Sequence, residues 1–338
     1  MNRTLLLAVL FVALGLGAWY AWRQKIAQTG TTTAWDIDFA VKEESRIGKI
    51  FIADRRGRTA TLERQNDRWI YNGQYPARPS AVKMLLETVT KVTVQSLPVS
   101  AAEAPMIKSL ATEGIKVELY DLAGKQLKCY YVGGVTNDEK GTYMLMEGSE
   151  HPFVTHVPSF IGQLRVRYLL GDENWRDRTV FAEKPETIQS IAVEYPQQKS
   201  ESFRLERVKA GEYTVTPFYS STPRKPGEPR KGLPEAYLLG FESLIAEGFE
   251  NNYEARDSVS ALVPFAIITV KKIDGTEKKV QFWPTEIGIN TSTGKAIVER
   301  YFVQRDNDFL SVQDYVFGPV FRGYSFFFEG TPKPIIRN

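Results

Sequence analysis

The sequence predicts an α+β protein of two related units, each an antiparallel sheet with helices on one face, after an N-terminal transmembrane helix. Three observations predict this: short runs of alternating apolar and polar residues, helical spacing between such runs in both halves, and a charge-free apolar stretch near the N-terminus. A chain of 338 residues has room for roughly two domains at about 150 residues each. Its 43% hydrophobic content excludes a disordered or low-complexity polymer.

The first element is the apolar segment from Leu5 to Trp22, which reads LLLAVLFVALGLGAWYAW and lies between Arg3 and Arg23. Its length suits a ~30 Å hydrocarbon core, and its aromatic end suits the headgroup layer. The alternatives are a buried core helix and a cleaved signal peptide, but signal peptides have a shorter apolar core and end in small residues. We therefore predict an uncleaved anchor over residues 1–23. The short N-terminal tail favours a single-pass protein of the inner membrane with its body in the periplasm.

Residues 24–46 form a predicted polar linker, in which Trp35 to Val41 alternates like a short strand. The first α+β unit is expected over residues 47–170. Its strands are predicted at GKIFIAD, TATLERQ and RWIYN and, further on, at IKVELYD, KQLKCYYVGG, GTYMLME and PFVTHV. Between these two sets, a helix opens at Pro79 and a second helix runs from about Ala101 to Glu113.

A second unit, over residues 171–338, is predicted to repeat this order. The motif IQSI at Ile188 follows IGKI at Ile47 by 141 residues, and later pairs lie about 150 residues apart. A Pro/Gly-rich basic stretch at residues 216–232 accounts for this increase in the spacing between matched residues. It is predicted as an inserted surface loop. The other matched pairs are Leu205 with Leu62, Pro234 with Pro79, Phe241 with Leu86, Leu244 with Val89, Val270 with Val117, Gly275 with Gly124, and Tyr301 with Tyr143.

The run KIFIADRRGRTATLERQNDRWIYNGQYPARPSAVKMLLETV, followed by GIKVELYDLAGKQLKCYYVGG and GTYMLMEGSEHPFVTHVPSF, resembles a known family. This is the bacterial family called domain of unknown function 4340, in the form common in Bacteroidetes. The resemblance covers most of residues 45–320. It implies a membrane-tethered, envelope-facing protein of repeated β-rich units; some relatives lie beside genes for ABC-type transport components of gliding-motility type. It supplies no catalytic residues.

Composition argues against most enzyme chemistry. A single cysteine, Cys129, and two histidines, His151 and His156, provide no disulfide framework or zinc site, and the histidines are five residues apart on a predicted strand, so they point to opposite faces. No phosphate-binding glycine motif is present. The net charge of +3 is too small to favour nucleic-acid binding. We predict no cofactor, no metal site and no catalytic residues.

Two stretches have the composition of contact surfaces. One is the inserted loop, in which proline favours an extended chain. It contains four basic residues and a single acidic residue, Glu228. The other is the aromatic C-terminal run VFGPVFRGYSFFF, for which a closing core strand is the default interpretation and a contact surface requires an exposed patch. The interaction candidates are Arg224, Lys225, Arg230, Lys231, Phe321, Tyr324, Phe326 and Phe328.

We therefore predict a non-enzymatic envelope protein that acts as an interaction or scaffold subunit of a membrane complex, with protein partners and no nucleic acid. Two alternatives stay open. A glycan hydrolase would use the acidic cluster Asp172, Glu173 and Asp177, since glycosidases work with paired carboxylates. A carbohydrate- or lipid-binding module would instead display exposed tryptophans beside a groove, from among Trp69, Trp175 and Trp283.

Overall fold

The computed structural model describes residues 34–98, 100–158, 160–168, 171–289 and 296–337. It has a mixed α+β fold with antiparallel sheets, as predicted. The chain divides into two compact units, with the boundary between Asp177 and Arg178. The predicted anchor, Leu5 to Trp22, lies outside the described residues. Within the described ranges, no helix is long and apolar enough to cross a membrane.

The first unit is built on a nine-stranded antiparallel sheet of order β4-β3-β2-β1-β6-β7-β8-β9-β5. Sequence alternation gives the strands one buried face, as in β6, where Ile115, Val117 and Leu119 are buried and the intervening residues are more exposed. The strands are β1 Ile47–Ala53, β2 Thr59–Gln65, β3 Arg68–Tyr71, β4 Tyr75–Pro76, β5 Thr93–Ser96, β6 Ile115–Asp121, β7 Gln126–Val135, β8 Thr142–Met146 and β9 Phe153–His156.

Helix α1, Pro79–Lys91, packs on the face of this sheet that carries the main core of the unit, which is called the inner face. It starts with proline, whose missing N–H leaves no helical hydrogen bond unmade at that position. Val82, Leu85 and Val89 recur at helical spacing and are buried in the core of the first unit. A one-turn helix near the end of the unit, Asp172–Trp175, is called α3, because helix α2 precedes it in the chain.

Helix α2, Ser100–Glu113, packs on the opposite, outer face. A Cβ at Gly133 of strand β7 would lie 2.8 Å from Cδ2 of Leu110, so the glycine makes room for the Leu110 side chain of the helix. Leu110 lines a groove together with Tyr143, whereas the next residue, Met144, is buried in the inner core. Because successive strand residues point to opposite faces, α2 and α1 cover different sides of the sheet. The prediction that the helices pack on one face is wrong for this unit.

Residues 34–46, the described part of the predicted linker, pack onto the first unit. Phe39 and Val41 are buried in its core, and the ring of Phe39 meets that of Tyr130 edge-to-face at 5.8 Å. The amide of Val41 donates a 3.0 Å hydrogen bond to the carbonyl of Val89 in α1. The strand predicted from Trp35 to Val41 is wrong, because these residues form turns and coil and only Val41 bonds the helix.

The second unit is built on an eight-stranded antiparallel sheet of order β13-β12-β11-β16-β17-β18-β19-β15. A separate two-stranded sheet pairs β10 Thr179–Phe181 with β14 Leu244–Ile245. The strands of the larger sheet are β11 Ile188–Glu194, β12 Phe203–Lys209, β13 Glu212–Pro217, β15 Gly248–Phe249, β16 Ala266–Lys272, β17 Glu277–Ile289, β18 Ala296–Arg305 and β19 Asp308–Gln313. The helices are α4 Leu233–Leu239, α5 Arg256–Ser260 and α6 Asp314–Phe317.

A second, smaller cluster lies on the outer face of this sheet. Trp283, Phe302 and Phe309 are buried there, apart from the main core, with Val259 of α5 packed against them. The rings of Phe302 and Phe309 stack at 4.8 Å. Both units therefore cover part of the outer sheet face with the segment that precedes the β6 or β16 strand.

The aromatic C-terminal run forms helical turns. Helix α6 is followed by 3₁₀ turns at Gly318–Val320 and Tyr324–Phe327, so the predicted closing strand is wrong. Phe321 packs edge-to-face on Phe265 at 5.2 Å and on Phe282 at 5.1 Å. The run closes the core of the second unit through rings on compact turns, which present several aromatics to one side.

Candidate functional site: a basic loop on the C-terminal turns

The basic loop, residues 218–232, leaves the edge strand β13 and lies against the C-terminal turns of the same unit. The predicted insertion began at residue 216, but its first two residues are the end of β13. The amide of Lys225 donates to the Tyr324 hydroxyl at 3.0 Å, and the amide of Arg230 donates to the carbonyl of Phe327 at 2.8 Å. These main-chain bonds fix the path of the loop at two points.

Two side chains add to this attachment. Lys225 Nζ forms an ion pair with the carboxylate of Glu329, and Arg230 Nη1 donates to the main-chain carbonyl of Glu329 at 3.0 Å. The hydrogen bond from Glu329 raises the pKa of Lys225, and the same bond lowers the pKa of Glu329. Both groups are therefore charged at neutral pH, and the loop is held by a charge-assisted contact.

The loop can follow this path because glycine stands where the backbone is left-handed. Gly227 has φ +83° and Gly232 has φ +82°, a conformation that costs other residues a steric penalty. Gly232 also stands immediately before α4, so the loop ends where that helix begins. Of the four cations, Lys225 and Arg230 are used for attachment, whereas Arg224 and Lys231 lie exposed beside them.

The predicted aromatic candidates separate into two groups. Phe321 and Tyr324 are buried in the core, so their rings offer no surface to a partner. Phe326 and Phe328 are only partly buried, and the guanidinium of Arg322 lies 5.2 Å from the centroid of Phe326. The exposed part of the site is thus a basic rim with some aromatic surface, a composition found at protein interfaces.

The acidic cluster of the hydrolase alternative does not form a buried carboxylate pair. Asp172 and Glu173 are exposed on the one-turn helix α3. Asp172 accepts a 2.6 Å hydrogen bond from the hydroxyl of Tyr71. The amide of Asp177 donates to the carbonyl of Pro76 at 2.9 Å, so this segment ties α3 to strand β4. Each of these contacts has a structural role in the first unit.

The tryptophans of the carbohydrate-binding alternative are not open platforms. Trp175 and Trp283 are buried, with at most 2% of either side chain accessible. Trp69 is partly buried, and the guanidinium of Arg64 lies 5.5 Å from its ring. Stacking on a sugar needs a free ring face, which the first two tryptophans lack.

Cys129 and His151 also have local partners. His151 Nδ1 lies 2.6 Å from a carboxylate oxygen of Glu103 in helix α2. Burial, and then the hydrogen bond to Glu147, raise the pKa of the Cys129 thiol to about 12. A thiol held in its protonated form is a poor nucleophile and a poor metal ligand. Within the described ranges, no group of three His, Cys, Asp or Glu side chains is placed to hold a metal ion.

Sequence reasoning missed the contact between the loop and the C-terminal turns, because the bonded residues lie about a hundred positions apart. A signal was present in the complementary charges of Lys225 and Glu329, but many other pairs would have fitted equally well. It also missed a cavity at the RRGR turn between β1 and β2, which the sequence identifies only as a turn.

The family model of the domain of unknown function DUF4340 matches residues 43–258. The matched region begins just before strand β1 and ends within helix α5, so it includes the basic loop but not the C-terminal turns. No curated protein and no solved structure matches the chain. Because the match covers more than half of its 338 residues, the chain belongs to the DUF4340 family.

Proposed function

We propose that this chain is a non-enzymatic, membrane-anchored interaction subunit of an envelope complex, and that its basic loop docks on an acidic surface of a partner protein. The observation that carries the proposal is the fixed loop: Lys225 and Arg230 hold it, while Arg224 and Lys231 remain exposed. A loop that is already ordered loses little conformational entropy on docking. Exposed cations also speed association with an acidic partner.

The anchored, periplasmic part of the proposal rests on the apolar segment from Leu5 to Trp22. A fusion of alkaline phosphatase after Asn338 tests it, because this enzyme is active only outside the cytoplasm. An expressed but inactive fusion would place the body in the cytosol.

The proposal includes an internal duplication, which would give a scaffold two related units. It is supported by the matching strand orders, in which β1, β2, β6 and β7 correspond to β11, β12, β16 and β17. Ile50 pairs with Leu62 as Ile191 pairs with Leu205. A register shift follows Ile47 in one unit and its counterpart, Ile188, in the other.

A side-chain contact also recurs. The guanidinium of Arg64 lies 5.5 Å from the ring of Trp69, and that of Arg207 lies 5.4 Å from the ring of Tyr213. In each case the two residues are direct cross-strand partners. The same cation–π pair at the same hairpin position favours a common origin for the two units.

Crosslinking from native membranes tests the docking surface. The Arg224→Ser/Lys231→Ser variant removes the exposed cations and leaves the attachment through Lys225 and Arg230 intact. We expect this variant to lose the crosslinked partner bands that wild type gives. The Lys271→Ser/Lys279→Ser variant is the matched control, because it removes two exposed lysines from the sheet of the same unit.

Equal crosslinking by both variants and wild type would overturn the docking surface. A loop variant that lost membrane-lipid crosslinks while keeping its protein bands would also overturn it, since the occupant would then be a lipid headgroup. Elution of the gently solubilised wild-type protein alone at monomer mass would remove the support for a scaffold role.

A further inference from the structure

A cavity of about 450 Å³ lies in the first unit, between the β1–β2 turn and the end of helix α2. Four arginines line it: Arg55, Arg56 and Arg58 from the RRGR turn, and Arg165 from the 3₁₀ turn Arg165–Arg167. The acidic residues at its wall are Asp54 and Glu113. None of these residues belongs to the basic loop described above.

Asp54 is already used by the turn itself. Its carboxylate accepts the amides of Arg56 and Arg58 at 2.9 Å each, and the Nε of Arg58 at 2.8 Å. Burial alone would raise the pKa of Asp54, but these hydrogen bonds from Arg58 and Arg56 outweigh it and lower the pKa. The charges of Asp54 and Arg58 therefore offset each other within the turn.

Arg165 is fixed by main-chain carbonyls. Its Nη1 donates to the carbonyls of Val132 and Gly133 at 3.0 and 3.3 Å, and its Nη2 donates to that of Glu113 at 2.7 Å. Burial lowers the pKa of Arg165, since these neutral acceptors replace water only in part. Guanidinium has five N–H donors, so donors remain for a ligand in the cavity.

Arg55 is also positioned, because its guanidinium lies 5.4 Å from the ring centroid of Tyr131 on strand β7. Once Asp54 and Arg58 are set aside as a pair, the cavity wall has one carboxylate, that of Glu113, against three guanidiniums, those of Arg55, Arg56 and Arg165. The cavity wall has an excess of positive charge, supplied by guanidiniums from two different elements. Planar guanidinium forks match the oxygens of phosphate and carboxylate groups in pairs.

We propose that this cavity binds a phosphate group. Donors that converge from separate elements suit the tetrahedral oxygens of phosphate better than one planar carboxylate. A volume of about 450 Å³ exceeds that of the phosphate alone, so the site accommodates a phosphoester with its substituent. The same chemistry occurs in soluble phosphoesters and in lipid headgroups, and the two probes below distinguish these sources.

Calorimetric titration of the full chain in non-ionic detergent provides the test. The probes are glycerol 3-phosphate and dihexanoyl phosphatidylglycerol, and glycerol is the control. We expect at least one phosphate probe to bind and glycerol not to bind. Binding of glycerol 3-phosphate identifies a soluble ligand, and binding of the lipid alone identifies a headgroup. Failure of both probes would overturn the proposal.

The Arg55→Ser/Arg56→Ser variant is expected to bind the probe at least tenfold more weakly than wild type. Its matched control is Arg46→Ser/Arg68→Ser, which removes two exposed arginines of the same unit outside the cavity. An equal loss of affinity in both variants would indicate a general charge effect and would contradict the site.

A measurement on unmodified wild-type protein covers the case in which the variant fails to fold. Phenylglyoxal labels accessible arginines, and peptide mass spectrometry reports the labelling rate at each position. We expect the bound probe to slow the labelling of Arg55 and Arg56 severalfold and to leave Arg68 unchanged. Equal rates with and without the probe at all three positions would refute the assignment.

Discussion

The hydroxyl of Tyr71 donates a 2.6 Å hydrogen bond to the carboxylate of Asp172, and this bond joins strand β3 to helix α3. Burial and the neighbouring Asp172 both raise the pKa of Tyr71, so the donor stays protonated at neutral pH. The residue that the hydrolase alternative would use as a catalyst therefore has a structural partner within its own unit.

Removal of this bond should destabilise the first unit. We expect Tyr71→Phe to lower the free energy of unfolding by about 1.5–3 kcal/mol, the usual contribution of a hydrogen bond to a charged group. Glu173→Ala, at the exposed position next to Asp172, should change it by less than about 0.5 kcal/mol. Urea unfolding followed by circular dichroism measures both, and equal effects of the two variants would show that the bond contributes nothing.

The Cys129 thiol should react slowly in the folded protein. Its pKa, raised to about 12 by burial and by Glu147, leaves about a thousandfold less thiolate at pH 8 than an ordinary thiol has. Alkylation rates should rise about tenfold per pH unit from pH 8 to 10 without levelling. Glu147→Gln should increase the rate at pH 8, whereas Glu63→Gln should not. A rate that levels near pH 9 in wild type would contradict this prediction.

Alkaline pH should destabilise the second unit. Burial raises the pKa of Tyr195 and of Tyr237 in the folded state. The folded protein therefore keeps protons that the unfolded chain releases above about pH 10, so this stability is fully present below that pH and is lost as pH rises.

Tyr237→Phe should make this alkaline decline shallower and cost about 1 kcal/mol at neutral pH, because the Tyr237 hydroxyl donates to the carbonyl of Val320 at 2.8 Å. Tyr315→Phe is the control, since the Tyr315 side chain is 91% exposed. Unfolding by urea at pH 7 to 11 measures both. A free energy of unfolding that stays constant up to pH 11 in wild type would rule out the raised tyrosine pKa values as a source of stability.

Gly48 should tolerate no side chain. A Cβ there would lie 2.7 Å from the carbonyl oxygen of Asp121 and 2.8 Å from Cα of Leu122, both main-chain atoms that cannot move aside easily. We expect Gly48→Ala to cost about 1–3 kcal/mol of unfolding free energy through this overlap. Gly134→Ala is the control, because no heavy atom other than those of its chain neighbours lies within 4 Å of its Cβ position. A shift in melting temperature no larger than that of the control would disprove the overlap.

Strand alternation predicts most of the sheet elements, because buried and exposed residues alternate along them as they do in the sequence. The sequence offset between the two units identified equivalent residues less accurately. Val270 pairs with Ile191 as Leu119 pairs with Ile50, so the topological counterpart of Val270 is Leu119 and not Val117. An error of two residues in the match leaves the residue on the same face of its strand. The alternation of apolar and polar residues therefore does not reveal it.

The match of Tyr301 to Tyr143 fails for a related reason. Tyr301 is buried in the main core of the second unit, whereas Tyr143 lines the outer groove of the first. An offset wrong by one residue exchanges the two faces of a strand. The placement of α2 on the outer face was equally unpredictable, since contacts such as that of Leu110 with Gly133 join residues that local patterns do not connect.

The candidate site could be predicted only in parts. The sequence singled out the basic loop and the aromatic run separately, because composition identifies each. Their contact depends on bonds such as that between Lys225 and Tyr324, and local patterns carry no information about residues so far apart in the chain.

Trp283 is the only tryptophan that follows the unit boundary at Asp177, and it is buried in the outer cluster with Phe302 and Phe309. Its fluorescence emission therefore reports on the folding of the second unit alone once the five earlier tryptophans are replaced by phenylalanine. Such a variant would make it possible to ask whether one half of the chain melts while the other persists, which a whole-protein signal averages away.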